Sequence, residues 1–113
     1  MQSQDAEKKI TVFTSPLCPD CREFKVNLEA HGIEYEAVDI TGSMRSLKAF
    51  LKLRDGLPEF REAREAGSVG IPAVVRGDGS VTLDWEGYLA ELGLPVVYRE
   101  NAPAACGIDG KGC

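Results

Sequence analysis

Apolar residues in this chain come in short β-prone runs, separated by stretches in which they recur every three or four positions. Ile10 to Thr14 is the first such run and predicts a strand. From Cys18 to about Ala30 the period lengthens. Cys21, Phe24 and Leu28 fall on one face of a predicted helix, and Gly32 stands where a left-handed glycine ends one. Ile33 to Ile40 alternates Ile33, Tyr35 and Ala37 with Glu34 and Glu36, then turns apolar at Val38 and Ile40, as a half-buried strand does. Thr41-Gly42-Ser43 supplies a turn and a cap for a helix bearing Leu47, Phe50, Leu51 and Arg54, closed by Asp55-Gly56. Pro58 opens a further helical piece to Ala66. Its alternating charges Glu59, Arg61, Glu62, Arg64 and Glu65 read as a solvated face, and Gly67 stops it. Ile71 to Val75 and Val81 to Leu83 flank Gly77-Asp78-Gly79-Ser80 as a hairpin. Asp84 then caps a last helix with Trp85, Tyr88, Leu89 and Leu92 on one face and Gly93 at its end.

The order βαβαββα predicts an α/β architecture. A parallel first pair joined by a crossover helix, with an antiparallel hairpin added, makes a central four-stranded mixed sheet flanked by helices. At 113 residues the chain suits one domain with one core, here placed at residues 9–98. Its 27% charged and 43% hydrophobic residues exclude disorder throughout. A net charge of −5 without any basic cluster argues against nucleic acid. The polar start, Met1 to Lys9, and the lack of any run near the roughly 18 apolar residues of a membrane span predict neither export nor membrane insertion. A cytoplasmic monomer is the expectation.

Cys18-Pro19-Asp20-Cys21 carries the candidate chemistry. A thiol at a helix start meets unpaired N–H groups and the positive end of the macrodipole, so Cys18 should ionise more readily than a free cysteine and act as nucleophile. Cys21, one turn on, is placed to attack a mixed disulfide on Cys18 and resolve it. Pro19 suits the first helical turn, where its missing N–H costs nothing. Asp20 should hold the Cys18 thiolate back, since a nearby carboxylate disfavours a second negative charge. On this reading Cys18 is exposed and Cys21 buried with Phe24 and Leu28. The competing use of a C-x-x-C, half of a zinc site, needs two more ligands. His31 is the only histidine and reads as a last-turn residue, so no metal is assigned.

From Lys9 to about Gly93 the chain resembles the glutaredoxins of the thioredoxin-fold superfamily, through the first strand, the Cys-Pro-Asp-Cys motif, the element order and Gly70-Ile71-Pro72. The resemblance implies a thioredoxin-like fold, a cis-proline at Pro72 beside the dithiol, and substrate pairing by the backbone at Ile71. It implies thiol–disulfide oxidoreductase activity on protein or small-molecule disulfides. No tightly bound cofactor is implied, and the electron donor is glutathione or a thioredoxin reductase-like partner. Three positions depart from glutathione-dependent members. Ser15 stands for the lysine three places before the nucleophile and is taken here as a substrate-binding position, Asp20 replaces an aromatic residue, and Leu83-Asp84-Trp85 replaces a Gly-Gly. Other classes stay open: a binding module on the same fold without turnover, and a metal or iron–sulfur module using the cysteines.

After Leu94 to Tyr98, an expected short extended segment, residues 99–113 form an Ala- and Gly-rich tail, expected to be flexible and carrying Cys106 and Cys113. The pair is a possible secondary redox couple able to exchange with Cys18 and Cys21.

Overall fold

A computed structural model describes residues 9–97. Cys106, Cys113 and the expectations attached to them lie outside the described residues. Strands β1 (Ile10–Thr14), β2 (Tyr35–Asp39), β3 (Ala73–Val75) and β4 (Val81–Thr82) form one sheet in the order β2-β1-β3-β4. β1 runs parallel to β2 from Ile10 opposite Tyr35 to Thr14 opposite Asp39. It runs antiparallel to β3 with Phe13 opposite Ala73, and β3 is antiparallel to β4. The helices are α1 (Pro19–Ala30), α2 (Met44–Gly56), α3 (Arg61–Ala66), preceded by a 3-10 turn at Pro58–Phe60, and α4 (Trp85–Glu91).

Alternation along the central strands divides the core between the two faces of the sheet. Ile10, Val12 and Val74 point to the side of α1 and α4, where they meet Phe24, Leu28, Trp85, Tyr88 and Leu89. Phe24 sits between two aromatic rings there, 5.4 Å from Trp85 and edge-on to Tyr88. Phe13 and Ala73 point the other way, toward Ile40, Phe50 and Phe60. Phe50 lies 5.7 Å from both Phe13 and Phe60, joining β1 to α2 and to the 3-10 turn.

Local chemistry fixes the helix ends. Ser43 Oγ accepts the Ser46 N–H and Asp84 Oδ1 the Gly87 N–H, as N-caps. At the end of α1 the Ile33 N–H reaches Leu28 O and the Gly32 N–H reaches Glu29 O, a closure that needs Gly32 at φ +67°. The chain after α4 returns along α1. Leu94 and Val96 pack on the α1/α4 side of the core, His31 Nε2 contacts Pro95 O at 2.7 Å, and the fully buried Asn27 holds Val97 by both main-chain groups. Its Nδ2 donates to Val97 O and to Glu23 O, and its Oδ1 accepts the Val97 N–H.

Several details differ from the sequence pattern, and Leu51 of α2 is exposed rather than packed. Leu92, expected on the packed face of the last helix, is exposed, because α4 ends at Glu91 and its glycine closure follows at once. Arg64 is not part of a solvated face. Its Nη1 donates to Arg54 O at 2.6 Å and to Leu57 O at 2.9 Å, which ties α3 to the end of α2.

Candidate active site

The site is built where β1 stops. After Thr14 the chain turns through Ser15-Pro16-Leu17, and the Cys18 N–H donates to Ser15 O at 3.1 Å. Ser15 is buried. Its hydroxyl accepts the Leu17 N–H at 3.1 Å and pairs with Thr41 Oγ1, whose own partner is Asp39 Oδ1 at 2.6 Å. The position that sequence reasoning gave to substrate binding is thus committed inside the protein, linking the turn to the end of β2. Arg22 Nη1 braces the same turn from α1 by donating to Pro16 O at 2.8 Å.

Cys18 is the N-cap of α1, with φ −100° and ψ 120°, and its Sγ accepts the Cys21 N–H at 3.3 Å. Pro19 follows in the first turn. The thiol thus takes the place of a capping hydroxyl, so negative charge on sulfur is met by an oriented backbone donor. The Cys18 pKa is lowered. The largest cause is the hydrogen bond from the Cys21 thiol, against burial, helped by the Cys21 N–H and opposed by the Asp20 charge. The Cys21 pKa moves strongly upward, because its proton is held by Cys18 and because the thiol is buried; the Thr14 side chain and the Ser15 backbone pull it down in smaller measure. The two shifts run in opposite directions and favour the thiolate at Cys18 and the thiol at Cys21.

Cys18 is 2% exposed and Cys21 4%, so the expected difference in exposure does not exist. Both join the core on the α2 side of the sheet, with Phe13, Ile71 and Ala73, rather than the cluster of Phe24 and Leu28. The first turn of α1 lies beyond the end of β1, where that strand no longer separates the two layers. Leu17, 75% exposed, takes the surface position instead.

The Ile71–Pro72 peptide bond is cis, and both residues are buried. The β1–β3 ladder begins only at Ala73, so the Ile71 backbone lies outside it. Gly70 has φ +100°, and a Cβ there would come within 3.0 Å of the Phe60 ring, so both backbone and space call for glycine. Asp20, Gly70, Ile71, Pro72, Leu83 and Trp85 share a groove of about 370 Å³.

The family model for glutaredoxin matches residues 10–81. This chain belongs to the glutaredoxin family. An uncharacterized protein of Haemophilus influenzae is 38% identical over 76 residues, covering 67% of this chain and 88% of the relative. The mixed four-stranded sheet with its flanking helices is the thioredoxin-like fold of glutaredoxins. Membership supports a glutaredoxin-like redox role. Among the described residues no group of three His, Cys, Asp or Glu side chains is placed to hold a metal ion, and no helix is long and apolar enough to cross a membrane.

Asp20, which departs from the aromatic residue usual in glutaredoxins, is half-buried. Its own pKa is raised by burial and by the nearby Glu23 charge. Asp20→Asn is expected to lower the Cys18 pKa further, read from thiolate ultraviolet absorbance against pH. The same change alters stability. A carboxyl whose folded pKa lies above its ordinary value of 3.8 binds its proton more tightly in the native state, so its ionisation destabilises the fold as pH rises through the folded pKa. Asp20→Asn is therefore expected to stabilise the protein at neutral pH, and the gain to vanish below about pH 3.8, as urea midpoints at the two pH values will show. An unmoved Cys18 pKa contradicts the charge argument.

Proposed function

We propose that this chain is a thiol–disulfide oxidoreductase acting through Cys18 and Cys21. The observation that carries the reading is the geometry of the dithiol: a Cys18 sulfur that caps α1 and accepts the Cys21 N–H at 3.3 Å, one turn from the second thiol. The Cys18 thiolate attacks one sulfur of a substrate disulfide, forming a mixed disulfide and releasing the first substrate thiolate, which takes up a proton. Cys18 then no longer carries charge. The hydrogen bond and the like charge that held the Cys21 proton are both gone, leaving burial opposed by Thr14 and the Ser15 backbone. Cys21 loses its proton and attacks the Cys18 sulfur, expelling the second substrate thiolate. Two electrons have passed, leaving two substrate thiols and a Cys18–Cys21 disulfide.

Ile71, at the backbone beside cis-Pro72, is the position proposed to align the substrate chain, with Pro19 and Asp20 shaping the dithiol turn. Ser15 serves this function by holding the turn from behind. The proposed working unit is residues 9–98, a monomer in the reducing cytoplasm, with 99–113 as an appendage. The oxidised site must be returned by a thiol donor, glutathione or a dithiol reductase. The deciding assay follows nicotinamide consumption with a neutral test disulfide, using either glutathione with its reductase or thioredoxin reductase as electron source. Turnover with either supports the reading. No turnover with both, together with no oxidation of the reduced protein by the disulfide, overturns it.

A further inference from the structure

We infer that the groove beside the dithiol selects disulfides carried on positively charged groups, as in a cysteine flanked by lysine or arginine. The inference rests on the oxidoreductase reading and concerns the partner of that same site. Five carboxylates line the groove: Asp20 at its dithiol end, Glu59 and Glu62 along one wall, and Asp84 and Glu86 at the start of α4. They come from four separate elements and line the same groove as Ile71 and cis-Pro72. Among the described residues no lysine, arginine or histidine lines it.

Three arginines on the neighbouring elements are turned to other uses. Arg64 spends its guanidinium on the carbonyls of Arg54 and Leu57, Arg61 pairs with Glu65 at 3.6 Å, and Arg22 binds Pro16 O. One Asp84 oxygen takes the Gly87 N–H as a cap. Pro72, Leu83 and Trp85 line the same groove and offer apolar surface to the aliphatic stems of long side chains whose charged ends the carboxylates can meet. A glutathione carboxylate entering here meets like charge and no cationic partner, so charge complementarity favours a cationic carrier.

The test uses the full-length protein, reduced and desalted, mixed with excess disulfide. Oxidation of Cys18 and Cys21 is followed by acid quench, alkylation and mass. The probes are two cysteine-peptide disulfides differing only in flanking Lys or Glu, and a small-molecule pair, cystamine and a dicarboxylate disulfide of similar length. A neutral disulfide serves as reference. Each rate is divided by that of the same disulfide with dithiothreitol, which removes the disulfide's own reactivity.

The expected normalised rate favours the Lys peptide over the Glu peptide by about tenfold at low ionic strength. The preference should fade toward unity at about 1 M salt, where charges are screened beyond about 3 Å. The exposed pair of changes Glu59→Gln and Glu62→Gln should cut it several-fold. A preference shared by cystamine assigns recognition to the amine alone; one confined to the peptides assigns it to a polypeptide. Equal normalised rates, or a preference untouched by the double variant, overturn the charge selection while leaving the oxidoreductase reading standing. Failure of every disulfide, the neutral one included, overturns both.

Discussion

Cys18→Ser is expected to abolish disulfide reduction, whereas Cys21→Ser keeps the first attack and accumulates a mixed disulfide on Cys18. Both thiols are equally hidden from solvent, so access does not separate them. Ionisation does. Cys18 has its pKa lowered by donors aimed at its sulfur, and Cys21 has its own raised by the hydrogen bond it donates to that sulfur and by burial. The thiolate is the attacking species, so the two roles are not interchangeable. Limited iodoacetamide labelling of the reduced protein, followed by mass mapping, should find Cys18 modified first. Labelling of Cys21 ahead of Cys18 reverses the assignment. In Cys21→Ser the Cys18 pKa should rise, since its largest stabilising donor becomes a serine hydroxyl or is lost.

Phe60→Ala is expected to cost about 3–5 kcal/mol, the range for deleting a fully buried aromatic side chain, out of the roughly 5–15 kcal/mol that holds a small domain folded. The Phe60 ring is fully buried, meets Phe50 edge-on at 5.7 Å, and lies against Gly70, two residues before the cis-proline. Urea denaturation should show the midpoint falling with the slope unchanged. Phe60→Leu, which keeps most of the volume, should lose markedly less. A loss below 1 kcal/mol for the alanine variant contradicts the packing seen here.

Much of this fold is legible in sequence because it is written locally. Ser43, Asp84 and Gly32 cap or close helices through groups within a few residues of themselves, and alternation along β1 separates Val12 from Phe13 without reference to anything distant. The dithiol is legible for the same reason. What escaped the sequence depends on contacts between distant segments. Ser15 is paired with Thr41, 26 residues away, and a serine's spacing from a cysteine says nothing of that partner. Thr14 reads as the end of a strand, and its action on Cys21 becomes visible only when the chain turns back. Glu59 and Glu62 sit in an alternating charge run that looks like ordinary solvated surface. Only folding places them opposite Asp84 and Glu86, and no signal near either pair announces it. A helix start usually lies at the surface, so the pattern alone predicts an exposed Cys18, whereas this one packs into the core with Phe13 and Ile71.

The clamp of Asn27 on Val97 joins two points 70 residues apart, so the stretch 94–97 cannot lift off α1 without stranding a fully buried amide. Asn27 and Cys18 are nine residues apart on one helix, about 13 Å along its axis. The helix that carries the dithiol at its start is thereby bolted at its other end to the last described stretch of the chain, and the position of the nucleophile is set by a polar lock that lies well away from the chemistry.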